Sequence, residues 1–416
     1  MNMSARSTVP IVVALVGSAA AASNSAARST DLDRSPASFS AGAAASAAGP
    51  FEIVDAEDAA FRLRVGGQVQ FRYIANFRDS DDATDDSDFG GGFETRRTKI
   101  NFSGTTLSKD LSFRIVAAFD RTGDGAFKLE ESWLRYKLGD GWSVRAGQFK
   151  LPFLREENVS SSAQLAADRS VANEVFNQDF SEAVEFARES EWWRLLAAVS
   201  DGFGSRNTAF FSPKEADVAL TGRVERRVGE APWKSYDDLT SFRDSPSGWM
   251  VGGAFHWQHM GDTAAFSGGA PATVAESDMI SYTVDLSVEG GGWNLFAACV
   301  GRWTDAAGVE AWDDFGAVVQ GGYFFTERTE GFARWDAVFP DKDRADPHDN
   351  FHTITAGLNH YFIEASHAAK LTIDVQIYLD DQAGSSSVVS AQTGLGMLPS
   401  SEDGQIAVRV QMQLLF

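Results

Sequence analysis

Apolar and polar residues alternate with a period of two along most of the chain after Pro50. In the segment 61–77, most odd positions are apolar, whereas most even positions carry Arg, Gln or Asn. A β-strand with one apolar face and one wet face has this period. The pattern recurs at 405–416, where apolar residues fill the even positions from Ile406 to Phe416 and polar residues fill most of the odd ones.

Fourteen further segments show the same alternation, so the chain is predicted to form about sixteen strands. Many of these segments have about ten residues, which is the length that a tilted strand needs to cross a bilayer. An even number of antiparallel strands would place both ends of a closed barrel on the same side. The fourteen segments lie at about 93–104, 111–120, 127–138, 142–149, 181–189, 191–200, 216–226, 249–259, 278–289, 293–303, 313–325, 328–339, 351–362 and 370–380.

The connections between the predicted strands alternate in length. Tight turns are expected at 139–141, 290–292 and 327–328. The connection 227–248 is an exception, since it is long although it lies on the short side, and we predict only that it makes a periplasmic excursion. Short turns on one side and long loops on the other are typical of an outer-membrane barrel and not of a soluble sandwich. The long connections are 78–92, 150–180, 260–277, 340–350 and 381–403.

Aromatic residues recur near the short-turn ends of the predicted strands. A soluble protein with two packed sheets would show the same alternation of polar and apolar residues, but aromatics at one depth favour a membrane interface. We therefore predict an all-β fold, a closed antiparallel transmembrane β-barrel of about 16 strands. The aromatic residues are Tyr136, Trp142, Trp249, Trp293, Tyr323, Phe325 and Phe416.

Composition excludes several classes of protein. The 416 residues carry 36 Lys and Arg against 58 Asp and Glu, a net charge of −22, and nucleic acid binding needs a clustered basic face instead. No apolar run approaches the eighteen residues of a spanning helix. The single Cys299 cannot form an internal disulfide.

The N-terminal fifty residues differ in composition from the rest of the chain. Arg6 precedes the apolar stretch 11–16, and small residues follow at 17–22, as in a secretory signal peptide. We therefore expect a signal peptide at 1–22. Residues 23–50 are mostly Ala, Ser and Gly, which predicts a flexible linker. The barrel domain is expected to occupy 51–416.

Three motifs stand out along the chain: Phe-Glu-Thr-Arg-Arg-Thr-Lys-Ile at 93–100, Val-Arg-Ala-Gly-Gln-Phe-Lys-Leu-Pro-Phe at 144–153 and Gly-Leu-Asn-His-Tyr-Phe at 357–362. They resemble motifs of the phosphate-selective porin O and P family of Gram-negative outer-membrane channels. The resemblance covers roughly 60–416. It implies a sixteen-stranded homotrimeric channel in outer-membrane lipid, with an inward-folded third extracellular loop, that passes small inorganic anions such as phosphate.

The wet face of the predicted strands is net basic. Guanidinium groups on a channel wall attract anions and replace part of their hydration. The alternative is that many of these Arg residues pair with lumen carboxylates and brace the barrel. The candidate channel-lining and anion-binding residues are Arg62, Arg64, Arg72, Arg97, Lys99, Arg114, Arg135, Arg145, Lys150, Arg155, Arg169 and Arg334.

The third long loop has the opposite balance of charge. Its basic residues are Lys150, Arg155 and Arg169, against five acidic ones. A non-selective or cation-preferring general porin, and a plugged barrel that serves as a surface scaffold or adhesin, therefore stay open as alternatives. The acidic residues are Glu156, Glu157, Asp168, Glu174 and Asp179.

The sequence gives little support for an enzyme or for a metal-binding protein. There is no P-loop, no nucleophile elbow and no dinucleotide-binding glycine motif, so we predict no enzyme and no cofactor. His256 and His259 point to opposite faces of a strand, and His348 and His352 lie at or beside a loop without a matching ligand framework. Acidic residues of the first long loop are expected to form a solvated loop, not a calcium site. They are Asp79, Asp81, Asp82, Asp85, Asp86 and Asp88.

Overall fold

The computed structural model describes residues 51–54, 60–79, 88–119, 125–344, 349–381, 388–399 and 404–416. The predicted signal peptide, the linker 23–50 and most of the Asp-rich loop, 80–87, lie outside the described residues. Within the described ranges, no helix has the length and apolar character needed to cross a membrane.

Sixteen long strands form one closed antiparallel sheet, as the alternation predicts. Each pairs with its neighbours along the chain, and β19 pairs with β2 from Ile406↔Phe77 to Leu415↔Gln68. A short strand, β1 (Phe51–Val54), pairs with the start of β2, and β11 (Ala265–Ser267) and β12 (Ala270–Ala272) form a separate hairpin. The barrel strands are β2 (Arg62–Phe77), β3 (Phe89–Thr106), β4 (Ser108–Phe119), β5 (Phe127–Gly139), β6 (Trp142–Lys150), β7 (Phe180–Glu189), β8 (Trp193–Ser200), β9 (Val218–Gly229), β10 (Gly248–Met260), β13 (Ser277–Gly290), β14 (Trp293–Ala306), β15 (Trp312–Phe324), β16 (Thr329–Phe339), β17 (Phe351–Tyr361), β18 (Ala369–Tyr378) and β19 (Ile406–Leu415).

Polar side chains point into the barrel and apolar side chains point outward. In β19, Arg409 is 0% exposed and Gln411 is 2% exposed, whereas Met412 and Leu414 are 43% and 50% exposed. A soluble sandwich would bury the apolar face, so this inverted arrangement fits lipid outside and a polar lumen inside. All seven aromatic residues predicted near the short turns are exposed on the barrel.

Short turns join the strands at one end of the barrel, which we call the short-turn end. Residues 140–141, 291–292 and 325–328 lie there, and the longer connection 230–247 lies there too. The opposite, long-loop end carries the connection 151–179, called loop 3 below. Loop 3 contains two short helices, α1 (Arg155–Asn158) and α2 (Val171–Phe176).

Gly147, in the second of the three motifs, needs to be a glycine. It pairs with Trp133 of β5 and has a φ of +127°. A Cβ at this position would lie 2.1 Å from the carbonyl oxygen of Ser132. Only glycine allows both this backbone conformation and this approach of β5 to β6, just before the chain enters loop 3.

The largest apolar cluster lies inside the barrel. Phe153 and Phe176 of loop 3 pack with Val338 and Phe351 of the wall and with Leu395 of the last long connection. These side chains are all nearly or fully buried. Loop 3 and residues 388–399 therefore pack against inward-facing side chains of the wall and build an apolar core inside the barrel.

Candidate functional site

A cavity of about 710 Å³ lies between loop 3 and the inward faces of β2–β9. Eleven basic and eight acidic residues border it, so its lining is net basic when all are ionised. The whole chain has a net charge of −22, so the basic excess is local to the cavity. The basic residues are Arg96, Arg97, Lys99, Arg114, Arg145, Lys150, Arg155, Arg169, Arg194, Arg206 and Arg223, and the acidic ones are Glu130, Glu131, Glu157, Glu174, Asp179, Glu185, Glu225 and Asp237.

Asp168 of loop 3 is held by three arginines of β2 and β3. The Asp168 carboxylate accepts hydrogen bonds from Arg72, from Arg96 Nε at 3.1 Å and from Arg97 at 2.9 Å. Its side chain and that of Arg72 are fully buried. Burial by itself would raise the pKa of Asp168, but the three arginines hold that pKa well below its ordinary value. The carboxylate therefore stays ionised and ties loop 3 to the wall.

A β-bulge brings two of these arginines to the same carboxylate. Gln70 pairs with Arg97, but Phe71 pairs with Thr95, so Arg96 has no partner on β2. The extra residue of a bulge breaks the strict alternation of faces. Arg96 and Arg97, although adjacent in sequence, therefore both reach Asp168.

A second bulge, in β5, turns two adjacent acidic residues toward the cavity. Val116 pairs with Glu131 and Ala117 with Leu129, which leaves Glu130 without a partner on β4. Glu130 accepts a hydrogen bond from Lys99 at 2.5 Å, and Glu131 lies 3.1 Å from Arg114 Nε. Both acidic residues border the cavity, each paired with a cation of the wall.

Ion pairs also form within loop 3 and between loop 3 and Lys150, the last residue of β6. Glu157 pairs with Lys150 and lies 3.2 Å from Arg169 Nε. Burial by itself would raise the pKa of Glu157, but Arg169 and Lys150 lower it to about 2. Glu156 accepts hydrogen bonds from the Ser170 backbone N–H at 2.8 Å and from its hydroxyl at 2.6 Å, and Ser170 caps α2 by accepting from the Asn173 backbone N–H at 2.9 Å.

Loop 3 is bonded to β16 and β18 as well. Asp336 of β16 accepts a hydrogen bond from the Val171 backbone N–H at 2.9 Å, and Asp374 of β18 accepts one from Ala167 at 2.9 Å. Lys370 donates to the Gln164 carbonyl at 2.8 Å. Because these contacts lie on β16 and β18, loop 3 fills that side and the cavity lies along β2–β9.

Buried arginine–carboxylate pairs brace the barrel wall. Arg409 donates two hydrogen bonds to Asp374, at 2.7 and 3.0 Å, and Arg223 donates two to Asp285, at 2.8 and 2.9 Å. Arg334 lies 3.2 Å from Asp336. These buried pairs, two of which are bidentate, have the bracing arrangement that was an open alternative in the sequence analysis.

The structure sorts the candidate basic residues into two groups. Seven of the twelve border the cavity: Arg97, Lys99, Arg114, Arg145, Lys150, Arg155 and Arg169. The other five do not border it. Arg72 and Arg334 are buried behind loop 3, Arg62 and Arg64 pair with Glu52, and Arg135 lies 3.9 Å from Glu185.

Four basic residues of the cavity are not among the twelve candidates predicted from the sequence, namely Arg96, Arg194, Arg206 and Arg223. Arg96 is brought in by the bulge, which no local pattern indicates. Arg194 lies on β8 at an even position, as does Leu196. The alternation along β8 could have found it.

Among the residues that the structure describes, one group of possible metal ligands lies outside the cavity. Ligand atoms of Asp217, His259 and Asp262 lie within 4.8 Å of one another. His259 Nδ1 is 3.1 Å from Asp278, and the Asp262 side chain is 82% exposed. Exposed carboxylates with this spacing are common without a metal, so we assign no metal site here.

Solved structures similar to this chain are outer-membrane porins. An anion-selective porin from Comamonas acidovorans shares 14% sequence identity at a TM-score of 0.57, covering 85% of this chain and 99% of that one. The outer-membrane channel DcaP of Acinetobacter baumannii shares 12% at 0.53, covering 85% and 97%. OmpT of Vibrio cholerae, in a trimer form, shares 12% at 0.53, covering 85% and 99%. At sequence identities this low, the similarity between these porins and the chain shows a shared fold and no more.

Sequence comparison identifies the family. No curated protein matches the chain. The family model of the phosphate-selective porins O and P matches residues 67–376, which is most of the barrel. It includes the three motifs quoted above, the two bulges and loop 3. The chain therefore belongs to the phosphate-selective porin O and P family and is a porin of the Gram-negative outer membrane.

Proposed function

We propose that this porin lets small inorganic anions, phosphate among them, diffuse across the outer membrane through the cavity along β2–β9. The observation that carries the proposal is the basic excess of the cavity lining in a chain that is strongly acidic overall. In a narrow passage with low-dielectric walls, such an excess concentrates anions and repels cations.

The chemistry of the lining suits oxyanions. Arginine carries a permanent charge and a fork of N–H donors, which can replace part of the hydration shell of a phosphate. Arg114 has a side chain that is 44% exposed, so it can contact a passing anion while Glu131 lies on its other side. Arg145 donates to Glu185 at 2.7 Å and also borders the cavity.

Loop 3 acts in this proposal as an inward-folded loop that narrows the lumen. Its acidic residues do not reverse the sign of the cavity, because Asp168 and Glu157 are paired with arginines or lysine. The acidic balance of loop 3, which kept a cation-preferring channel open as an alternative, is in this proposal offset by cations at these two carboxylates.

We also propose that the channel is a homotrimer in outer-membrane lipid, as the family resemblance implies. An apolar outer surface, with Phe71 and Phe93 stacked at 5.6 Å, would contact lipid or neighbouring copies.

Phosphate passage is tested with proteoliposomes. Vesicles containing the purified porin should take up inorganic phosphate faster than an uncharged sugar of similar size, because the cavity concentrates anions. The same vesicles without protein are the control. Equal rates for the two solutes would contradict the anion proposal, and no uptake of either would contradict a channel.

Glu174 gives the cavity a charge that changes near neutral pH. Burial, with Glu157 and Asp168 nearby, raises the pKa of Glu174 to about 7. The carboxyl is neutral below that pH and negative above it. In bilayer recordings, the anion-to-cation permeability ratio should therefore fall roughly two- to threefold as the pH rises from about 5.5 to about 8.5.

The variant Glu174→Gln isolates this effect. Because its side chain stays neutral, it should keep the low-pH permeability ratio over the whole range. If this variant shows the same pH dependence as the wild type, another group is responsible and the role given to Glu174 is wrong.

A further inference from the structure

The connection 230–247 is the long segment at the short-turn end for which the sequence predicts only a periplasmic excursion. It joins β9 to β10, and its stem is closed by Glu230 and Ala231, whose backbone N–H groups both donate to the Ser247 carbonyl, at 2.8 and 3.1 Å. A short 3-10 helix, Trp233–Asp237, lies within it. Trp233, Tyr236 and Leu239 are all buried, so this segment packs against the barrel and is not a free loop.

One half of the segment contacts the strands beside its stem. Trp233 Nε1 donates to the Ser190 carbonyl, in the turn between β7 and β8, at 2.8 Å. The Arg194 guanidinium lies 4.5 Å from the centre of the Trp233 ring. This half is therefore fixed to the wall where the cavity lies.

The other half reaches strands much further along the sheet. Phe242 packs its ring against Phe324 of β15 and Tyr361 of β17, with centroid distances of 5.4 and 5.2 Å. The Arg243 guanidinium donates to the Phe324 carbonyl at 2.8 Å. Because its two halves contact β7–β8 and β15–β17, the segment crosses the interior of the barrel at the short-turn end.

Within the lumen this segment meets loop 3. The Leu239 backbone N–H donates to the Ala163 carbonyl of loop 3 at 3.1 Å, and Leu239 shares an apolar cluster with Val159, Ala163 and Leu165. Arg155 of loop 3 donates to the carbonyls of Tyr236 and of Asp238, the latter at 3.1 Å, and to the Ser287 hydroxyl at 2.7 Å. Two insertions from opposite ends of the barrel are thus joined into one partition.

The partition leaves the lumen open on the side of the cavity. Tyr236 and Asp237 border that cavity together with Arg155 and Arg194. The Asp237 side chain is exposed, and among the residues that the structure describes it forms no ion pair. Asp237 therefore adds a negative charge to a basic passage. Arg155 and Arg194, which border the same cavity, interact with other groups.

We infer that the segment 230–247 is a second constriction of the channel, at the short-turn end, and that Asp237 sets how strongly this constriction prefers anions. The inference rests on the proposed function, since it concerns ions that cross the same cavity. Loop 3 narrows the passage from the long-loop end, and Asp237 moderates anion preference at the exit.

Thiol modification tests the inference on the intact channel. In a Cys299→Ser background, which removes the exposed native thiol, Asp237→Cys is treated with a methanethiosulfonate that carries either a sulfonate or a trimethylammonium group. The anion-to-cation permeability ratio should be roughly two- to fivefold higher with the trimethylammonium adduct than with the sulfonate adduct. Both adducts should lower the single-channel conductance.

Asp244→Cys is the matched control, because Asp244 lies in the same segment but is exposed and does not border the cavity. Its modification should leave conductance and selectivity unchanged. If modified Asp237→Cys behaves like modified Asp244→Cys while the parent still conducts anions selectively, the inference is wrong and the proposed function stands. A parent without conductance would overturn both.

Asp237→Asn, which keeps the size of the side chain, should raise the ratio roughly twofold without any reagent.

Discussion

Replacing Asp168 with Asn is expected to lower the free energy of unfolding by about 3–5 kcal/mol, because it removes a buried negative charge that pairs with three arginines. Arg72 has a fully buried side chain, so it cannot recover its hydration when Asp168 becomes neutral, although it keeps its ion pair with Glu94. Arg96 and Arg97 lose the same partner, at 3.1 and 2.9 Å. Thermal or urea unfolding in detergent or lipid measures the loss.

The same substitution should also loosen loop 3. Without Asp168 as an anchor, the loop keeps its contacts to β16 and β18 and the hydrogen bonds from Gln68 and Gln70 to Ser161, but it loses its ion pairs with β2 and β3. We therefore expect larger and noisier single-channel conductance. Asp244→Asn, at an exposed position, is the control. If Asp168→Asn unfolds at the same point as this control, Asp168 does not hold the loop as described.

Replacing both Arg114 and Arg145 with Gln is expected to shift the permeability ratio toward cations roughly three- to tenfold. Both arginines border the cavity, and each is paired with a carboxylate, Glu131 or Glu185. The double variant therefore removes two positive charges and leaves two negative charges without partners. Reversal potentials of reconstituted channels in a salt gradient measure the shift.

Two controls separate charge from structure. Arg114→Lys with Arg145→Lys keeps the charge, so selectivity should stay near that of the wild type although the bidentate donors are lost. Arg62→Gln with Arg64→Gln removes two arginines that pair with Glu52 and do not border the cavity. If this second control shifts the ratio as much as the Arg114 and Arg145 variant, the cavity does not decide selectivity.

The barrel was predictable because its signal is local. The alternation along 61–77 or 405–416 depends only on which face of one strand meets lipid, and every predicted segment overlaps an observed strand. The tight turns at 139–141 and 290–292 follow from glycines that take positive φ values, at Gly139, Gly141 and Gly292.

The roles of the lumen arginines were not predictable, because they depend on contacts between distant parts of the chain. Alternation places Arg72 and Arg97 on the same wet face, yet Arg72 is buried under loop 3 and the Gly394 carbonyl, whereas Arg97 borders the cavity. Arg96 belongs to the wall only because of the bulge opposite Gln70 and Phe71. No pattern in 227–248 indicates that this connection crosses the barrel to reach Phe324 and Tyr361.

The measurement that tests the central claim most directly is the reversal potential of the wild-type porin in a planar bilayer with a tenfold gradient of potassium chloride at pH 6. At that pH most Glu174 carboxyls are neutral, since their pKa is about 7. The account predicts a reversal potential with the sign of the chloride equilibrium potential. A value with the sign of the potassium equilibrium potential would contradict an anion channel along β2–β9.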